Sequence, residues 1–435
     1  MLVTIPYQAL RALWLLEKNG FPAYIVGGSL RDTLLGLTPH DWDVTTPALP
    51  DQMMEIFTAA GHATIPTGMA HGTVTVLVDH TPVECTTYRL DGDYTDARRP
   101  DSVRFTDCIS DDLARRDFTV NAMASRLPNI GKWDAKDPRL SEGMTLSVEE
   151  LDVVDLYGGR ADLNAHIIRC VGDPVTRLTE DALRILRGVR FCVQLSSTPD
   201  PATEAALHTC RGGLVRISVE RIAAELISLL TCGRPAAEGL SLMSRTGLWE
   251  YVLPEFENSN KTKYFEHERA QFSALDRLPS DAALRLSLLL SGTDEAAAKQ
   301  ACRRLKLSNR LTDAVSAMVG SLDLPCPATE ADVRRRMVRL GEHAEGALIL
   351  GRMCRPDRAA DYEKALDRMK AIGARGDCLT LRDLAVDGKT LMDELGLGGR
   401  AVGAMLATLL DAVLDDPALN DRATLLSLAR AAEKR

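Results

Sequence analysis

The segment IVGGSLRD (residues 25–32), followed by HDWDV (residues 40–44), decides how the first part of the chain folds. An apolar run that ends in two glycines before a helix start predicts a strand–turn–helix unit whose backbone approaches a phosphate closely. Asp41 and Asp43 are two residues apart, so on a strand they project to one face. Two adjacent carboxylates repel each other, and Mg²⁺ is typically bound by one or two carboxylates plus substrate phosphates. The pair predicts a magnesium site, although an isolated Asp-x-Asp also fits a solvent-facing turn.

A third carboxylate often completes such a site, and the sequence offers two candidates. Glu84 lies in PVECTTYR (residues 82–89), which has the pattern of a neighbouring strand. Asp117 lies in RRDFTVNA (residues 115–122) and competes with it. A glutamate that faces water from an edge strand describes Glu84 equally well, so the choice stays open.

The apolar pattern predicts a change of architecture along the chain. Up to about residue 125 helices and strands alternate, with helical spacing over residues 9–16 and strand alternation over residues 73–78. From about residue 168 onward, long helical patterns dominate, as over residues 180–194, 219–230 and 283–290. Between these parts, residues 127–150 carry two prolines and two glycines and predict an irregular excursion.

Length and composition narrow the class of protein. A chain of 435 residues is too long for one ordinary core and predicts about three modules. Its ten cysteines are scattered without a Cys-x-x-Cys pair, which favours neither a zinc ribbon nor a disulfide framework. No apolar run reaches membrane-spanning length, so we expect a soluble, cytoplasmic protein that does not bind membranes.

The net charge of −9 excludes a uniformly basic protein that coats nucleic acid, but the arginines are clustered. Such clusters on an acidic protein predict phosphate contacts at selected places. For the last cluster, solvated helix faces are the better interpretation. The three clusters are Arg98, Arg99, Arg104, Arg115 and Arg116; Arg184, Arg187 and Arg190; and Arg334, Arg335, Arg336 and Arg339.

Several motifs in order carry a resemblance to a known family. They are GGSLRD (residues 27–32), DWD (41–43), RRDFTVNA (115–122), DLYGG (155–159) and EDALR (180–184). Together they resemble the class II tRNA nucleotidyltransferase and poly(A) polymerase family, and specifically its bacterial CCA-adding enzymes. The resemblance implies an α+β chain. An N-terminal, polymerase β-like nucleotidyltransferase head of α/β type with a mixed sheet would be followed by an all-helical neck, body and tail.

The resemblance also implies the boundaries of these parts. The catalytic head would span residues 1–165 and the base-selecting neck residues 166–230. A body over residues 231–325 resembles a degenerate His-Asp region without the His-Asp pair, so we predict no hydrolase activity there. The tail, residues 326–435, would bind tRNA, with Lys389 and Arg400 beside glycine turns. An even alternative for that tail motif is a plain helix–helix turn.

Roles for individual residues follow from the resemblance. Asp41 and Asp43 would bind Mg²⁺ and act in catalysis. Glu84 joins them as a catalytic candidate on its strand pattern and not on the resemblance, with Asp117 as the open alternative. Gly28 and Arg31 would hold the triphosphate, and Arg116 would contact the incoming nucleotide. Arg187 and Arg190 would also bind nucleotide.

Base selection is assigned to Asp181 and Arg184. One turn apart on a helix, they would share a face and offer an acceptor beside donors. Cytosine and adenine both present an amine beside a ring nitrogen, whereas uracil and guanine present the reverse order. Without the resemblance, the two residues would be a surface ion pair.

The predicted function is template-independent addition of CCA to the 3′ end of tRNA from CTP and ATP. Two metal ions would assist the transfer, and pyrophosphate would be released. A loop at residues 88–100 corresponds to one that the family needs for the switch to ATP. The alternatives are a bacterial poly(A) polymerase of the same family and an inactive RNA-binding homologue. No protein partner is predicted.

Overall fold

The computed structural model describes residues 2–39, 41–92, 102–259 and 263–433. It divides into two compact units, Met1–Val252 and Leu253–Arg435. The four-part division made from the sequence is finer than this and stays a prediction.

Among the described residues, the strands all belong to the first unit. They are β1 (Leu2–Ile5), β2 (Tyr24–Val26), β3 (Asp43–Thr46), β4 (Ala63–Gly68), β5 (Thr73–Val78), β6 (Thr81–Thr87), β7 (Arg89–Asp91), β8 (Val103–Phe105), β9 (Met123–Arg126), β10 (Met144–Ser147), β11 (Asp152–Asp155), β12 (Ile167–Ile168) and β13 (Thr198–Pro199).

The α-helices of the first unit connect and follow these strands. They are α1 (Tyr7–Lys18), α2 (Gly27–Leu34), α3 (Pro50–Ala59), α4 (Ile109–Ala114), α5 (Arg139–Glu142), α6 (Gly159–Ala165), α7 (Pro174–Glu180), α8 (Leu183–Gln194), α9 (Pro201–Cys210), α10 (Val219–Thr231), α11 (Ala237–Thr246) and α12 (Trp249–Val252).

A mixed sheet of seven described strands organises the head, in the order β11-β9-β2-β3-β6-β5-β4. Only β3 and β6 run parallel in it, and the other neighbours are antiparallel. The predicted strand over residues 73–78 is confirmed, and its alternate residues Val74, Val76 and Val78 are buried. The mixed sheet predicted from the family resemblance is therefore confirmed.

Helix α1 confirms the helical spacing predicted for residues 9–16. Its apolar residues Leu10, Leu13 and Leu16 recur at helical intervals and are fully buried. Each such side chain contributes about 1.5–3 kcal/mol when it leaves water. This burial ties α1 to the sheet that carries the site.

The excursion over residues 127–150 returns to the head. Its strand β10 pairs with β1 in antiparallel fashion, from Leu2 opposite Ser147 to Ile5 opposite Met144. The indole of Trp14 donates a hydrogen bond to the carbonyl oxygen of Trp133 at 3.2 Å. The excursion thus holds the N-terminal strand against the domain.

The prediction that only helices follow residue 168 is correct except for one short pairing. Strand β12 ends at Ile168 and pairs in parallel with β13, two residues each. Helices α8 and α10 confirm most of two predicted segments and pack against each other.

The second unit is helical throughout its described residues. Its α-helices are α13 (Pro254–Glu257), α14 (Glu268–Asp276), α15 (Ala282–Leu289), α16 (Glu295–Arg304), α17 (Asn309–Gly320), α18 (Glu330–Leu340), α19 (Ala344–Cys354), α20 (Ala359–Arg375), α21 (Gly388–Leu395), α22 (Arg400–Asp415) and α23 (Arg422–Glu433).

The interpretation of the last arginine cluster as solvated helix faces is wrong for two of its members. Arg334 is buried, and its guanidinium donates to Asp377 at 2.8 Å and to the carbonyl oxygen of Leu414 at 2.9 Å. Arg336 is also buried and donates to the carbonyl oxygen of Pro325 at 2.7 Å. These arginines satisfy backbone and carboxylate acceptors inside the unit, a role that charge spacing alone does not reveal.

Glycine turns occupy the predicted place in the tail. Asp387 caps α21 by accepting a hydrogen bond from the backbone of Thr390, and Gly399 precedes α22 with a φ of +54°. Lys389 and Arg400 are both exposed.

Among the described residues, no helix taken alone combines the length and apolarity needed to cross a membrane. The pair α21 and α22 reaches both only jointly, across a bend of 111°.

Candidate active site

The glycine turn has the predicted form. Strand β2 ends at Val26 and α2 begins at Gly27, whose φ of +67° favours glycine. A Cβ added to Gly27 would lie 3.1 Å from a terminal nitrogen of Arg116 and 3.8 Å from a carboxylate oxygen of Asp43. Because the first N–H groups of a helix lack internal partners, this turn can approach an anion between those two residues.

The carboxylates of Asp41 and Asp43 are not arranged as the alternation of side chains along a strand predicts. Asp43 begins β3, whereas Asp41 lies before the strand and is exposed. The prediction that both project from one strand is therefore wrong for Asp41. Glu84 lies on β6 directly opposite Asp43, because the parallel register pairs these two residues.

The charges around Asp43 act on one another. Burial and the carboxylate of Glu84, with a smaller contribution from Asp41, raise the pKa of Asp43 to about 6, and Arg116 opposes the shift. The raised pKa reflects the burial of Asp43 next to a second carboxylate, an effect that Arg116 offsets only in part. Negatively charged carboxylate oxygens are hard ligands, the kind that a divalent cation such as Mg²⁺ favours.

The described residues contain no group of three His, Cys, Asp or Glu side chains close enough to hold a metal ion unaided. This is compatible with Mg²⁺, because that ion keeps several waters and shares its ligands with substrate phosphates. The carboxylates therefore fit an ion that arrives with a nucleotide better than one held in a closed protein cage.

A cleft of about 450 Å³ in the first unit brings most of the predicted residues together. Its lining is dominated by guanidinium groups, which suits a polyanion such as a triphosphate. The lining residues are Gly27, Gly28, Arg31, Asp43, Arg115, Arg116, Asp117, Asn121, Asp181, Arg184, Arg187, Arg190, Phe191 and Gln194. Asp41 and Glu84 are not among them.

Arg31 is held in a fixed direction at the start of the cleft. Its guanidinium donates to Asp32 at 2.7 Å and to the side-chain oxygen of Asn121 at 2.8 Å. It also lies 5.3 Å from the ring centre of Phe191. Such fixed donors are preorganised for an anion.

Asp117 has a structural partner. One carboxylate oxygen accepts from the backbone of Phe118 at 2.8 Å and from Asn121 at 3.2 Å, and the other accepts from Arg187 at 2.8 Å. Although burial alone would raise it, Arg187 lowers the pKa of Asp117 to about 2. Asp117 therefore forms an ion pair with Arg187, whereas Glu84 lies beside Asp43.

The helix predicted over residues 180–194 is interrupted. Helix α7 ends at Glu180, and Asp181 adopts an extended conformation with φ −132° and ψ 104° before α8 begins at Leu183. Asp181 accepts a hydrogen bond from the backbone of Leu183 at 3.0 Å, so it caps the new helix. The prediction that Asp181 and Arg184 lie on one helix is therefore wrong, although both line the cleft.

The two residues pair with different partners. The guanidinium of Arg184 donates to Glu180 at 2.5 Å and to the carbonyl oxygen of Arg115 at 3.0 Å. Asp181 lies 3.4 Å from a guanidinium nitrogen of Arg221, on α10. Arg184 and Asp181 are thus held by different partners, although both line the cleft.

The aromatic ring of Phe191 also lines the cleft, and the sequence analysis did not identify this residue. Arg187 and Arg190 lie 5.1 and 4.4 Å from its ring centre, in addition to Arg31. Arg190 also donates to Glu225 at 2.6 Å. Phe191 follows Arg187 by four residues, so helical spacing within α8 was the signal that could have found it.

Asn121 and Asp112 were also missed. Asn121 accepts from Arg31 and donates to Asp117, and Asp112 accepts from Arg115 at 2.7 Å and Arg116 at 3.1 Å. Asn121 lies inside the quoted RRDFTVNA run, which was a usable signal.

Of the predicted loop at residues 88–100, residues 93–100 lie outside the described part. Residues 89–91 form β7, which pairs with β8, so the loop prediction is wrong for this part.

Comparison with known proteins agrees with this architecture. Residues 23–169 match the family model for the poly(A) polymerase head domain. Residues 198–259 match a model described as the probable RNA- and SrmB-binding site of polymerase A, and residues 279–429 match tRNA nucleotidyltransferase domain 2. Head, cleft and helical parts together define a nucleotidyltransferase.

Relatives that span nearly the whole chain identify the family within this class. A CCA-adding enzyme of Limosilactobacillus fermentum is 33% identical and covers 95% of this chain and 94% of the relative. One from Latilactobacillus sakei is 34% identical, with 97% of each chain covered. The crystal structure of the Bacillus stearothermophilus CCA-adding enzyme in complex with CTP matches with a TM-score of 0.74, 30% identity and 98% of each chain covered. The chain belongs to the family of CCA-adding enzymes.

Proposed function

We propose that this protein adds C, C and A in turn to the 3′ end of tRNA, using CTP and ATP and releasing pyrophosphate. The observation that carries the proposal is the pairing of Asp43 with Glu84 beside a cleft lined by arginines. Carboxylates supply the metal-binding side of nucleotidyl transfer, and guanidinium groups supply the side that binds the triphosphate. The CTP named in the Bacillus stearothermophilus structure supports the choice of substrate.

Proteins of this family use divalent metal ions, and we propose Mg²⁺ for this chain. Asp41 and Asp43 would hold it, with Glu84 beside them. When bound, Mg²⁺ would favour ionisation of the RNA 3′-hydroxyl and neutralise the departing pyrophosphate. Asp43 would set the position of the bound ion, because Asp43 begins a strand whose register is fixed by pairing with β6.

The triphosphate would lie between the glycine turn and the arginines. Gly28 would let the backbone approach the phosphates, and Arg31, which lines the cleft, is held in place by Asp32 and Asn121. Arg116 would contact the nucleotide from the side of Asp43. These groups bind and orient the triphosphate without forming a covalent bond to it.

Base selection would fall to Asp181 and Arg184, with Arg187 and Arg190 contributing to nucleotide binding. Asp181 supplies an acceptor and Arg184 supplies donors, so each can match the amine and ring nitrogen that cytosine and adenine share. Their separate anchoring by Arg221 and Glu180 supports a rigid pair of recognition groups. A base with the reverse order would leave buried polar groups without partners.

The helical tail would bind tRNA in the cytoplasm. Lys389 and Arg400 are exposed beside glycine turns, an arrangement that suits backbone phosphates. Recognition by shape and backbone is expected, because every tRNA must be accepted. The tRNA nucleotidyltransferase domain matched over residues 279–429 supports this assignment.

The decisive experiment is incorporation of each labelled nucleoside triphosphate with Mg²⁺. The primers would be tRNA transcripts that end before CCA, after C and after CC, beside an unstructured RNA. Addition of two C and one A, ending there and only on tRNA, is the expected result. Long A tracts on any primer would make the protein a poly(A) polymerase, and RNA binding without turnover would make it an inactive homologue.

A further inference from the structure

Asp112 is a buried carboxylate that is not among the residues lining the cleft. It is fully buried in α4, and one oxygen accepts from Arg115 through two nitrogens at 3.0 and 2.7 Å. Its other oxygen accepts from Arg116 at 3.1 Å. One negative charge therefore orients two guanidinium groups, and both of them line the cleft.

Asp43 is a second carboxylate near Arg116. A Cβ added to Gly27 would lie 3.1 Å from a terminal nitrogen of Arg116 and 3.8 Å from an oxygen of Asp43, so both groups border the same glycine. The same nitrogen donates to the carbonyl oxygen of Asn121 at 3.4 Å, a long hydrogen bond. Asp112 is thus the stronger of the two acceptors that hold Arg116.

We propose that Asp112 is a positioning residue for nucleotide binding, which directs Arg116 toward the triphosphate and away from Asp43. The inference rests on the proposed role of Arg116. Asp112 does not line the cleft, so it acts through Arg116 and not by touching the nucleotide. Without its charge, the guanidinium divides between two directions, and only one of them is competent to bind.

The charge of Asp112 matters more than its shape. A hydrogen bond between ionised groups is roughly twice as strong as one between neutral groups. Asp112→Asn keeps the size of the side chain but weakens its hold on Arg116. A ligand that binds only when Arg116 is in the competent orientation then shows a lower apparent affinity. The affinity falls in proportion to the fraction of molecules with that orientation. At saturating nucleotide, the ligand itself restores the orientation.

The test uses the full-length protein with tRNA ending before CCA, Mg²⁺ and CTP. For Asp112→Asn we expect KM for CTP to rise about tenfold while kcat stays within about twofold. The dissociation constant of CTP, measured by equilibrium dialysis, should rise by the same factor. Asp162→Asn is a matched control. Asp162 is likewise buried and paired with an arginine, but this partner, Arg169, does not line the cleft.

A double-mutant cycle separates the inference from the proposed function. If Asp112 acts through Arg116, then Asp112→Asn adds no further loss to Arg116→Gln. Multiplied losses would overturn the inference, as would an unchanged KM in Asp112→Asn while Arg116→Gln raises it. Equal increases in KM in Asp112→Asn and Asp162→Asn would show general destabilisation and overturn it too. If Arg116→Gln itself leaves KM for CTP unchanged, the proposed role of Arg116 fails instead.

Discussion

Asp43 and Glu84 face each other across the one parallel strand pair of the described central sheet. They are separated by 41 positions along the chain, and the register between β3 and β6 alone makes them neighbours. Burial and Glu84 raise the pKa of Asp43 to about 6. The carboxylates are therefore held together at an electrostatic cost that a bound cation would offset.

Replacing Asp43 separates its role in catalysis from its effect on stability. For Asp43→Asn we expect kcat/KM for CTP to fall at least about a thousandfold, because the proposed metal ligand is lost. The melting temperature of the metal-free variant at pH 7 should not fall, since a repelling charge has been removed. Thermal melts without metal and incorporation assays with Mg²⁺ measure the two effects. Retained turnover would refute the assignment of Asp43.

Glu84 is expected to be the third carboxylate. Glu84→Gln should raise the Mg²⁺ concentration needed for half-maximal activity by about tenfold, because one negative charge beside Asp43 is lost. The measurement is a titration of initial rate against Mg²⁺ at saturating CTP. A titration curve that matches the unmodified protein would leave Glu84 as an exposed residue of β6 with no part in the site.

Asp117 should govern part of the stability in acid. Its folded pKa of about 2 lies below the ordinary aspartate value of 3.8, so its ionisation stabilises the fold above about pH 4, and that contribution is lost as the pH falls toward 2. Asp117→Asn should cost about 3 kcal/mol at pH 7, because Arg187 loses its partner. Its stability should then fall less steeply between pH 4 and 2. Denaturant unfolding across this range is the test, and parallel curves would contradict it.

Gly27 should not tolerate a side chain. In Gly27→Ala the left-handed backbone costs roughly 1–2 kcal/mol, and the methyl group also meets Arg116. Gly20→Ala is the matched control, because its φ of +86° carries the same strain with no atom within 4 Å. Both variants should lose stability, but only Gly27→Ala should raise KM for CTP. Equal KM values in the two variants would show that the turn does not adjoin the nucleotide.

Asp181 should govern the choice of base. Asp181→Ala is expected to reduce the preference for CTP over UTP by about tenfold, since the proposed acceptor for the base amine is removed. Asp173→Ala is the control, because Asp173 also caps a helix but does not line the cleft. The ratio of kcat/KM for the two nucleotides gives the answer. Unchanged discrimination in Asp181→Ala would end the proposal for this residue.

The sequence by itself determined the local units of this protein. The helix around residues 9–16, the strand over residues 73–78 and the glycine turn at residues 27–28 were all predicted and are confirmed. Each depends on side-chain periodicity or on backbone freedom within a few residues, and such information is local. Ordered motifs also carried the family resemblance, which the relatives confirm.

Only the tertiary structure decided how these units meet. The register of β3 and β6 places Glu84 beside Asp43, and the ion pair with Arg187 engages Asp117 instead. The break at Asp181 also escaped the periodic pattern, because the residues around it have helical spacing while the aspartate caps a new helix. Partners distant in sequence decide these choices, since buried charges take whichever acceptor or donor the fold brings within reach.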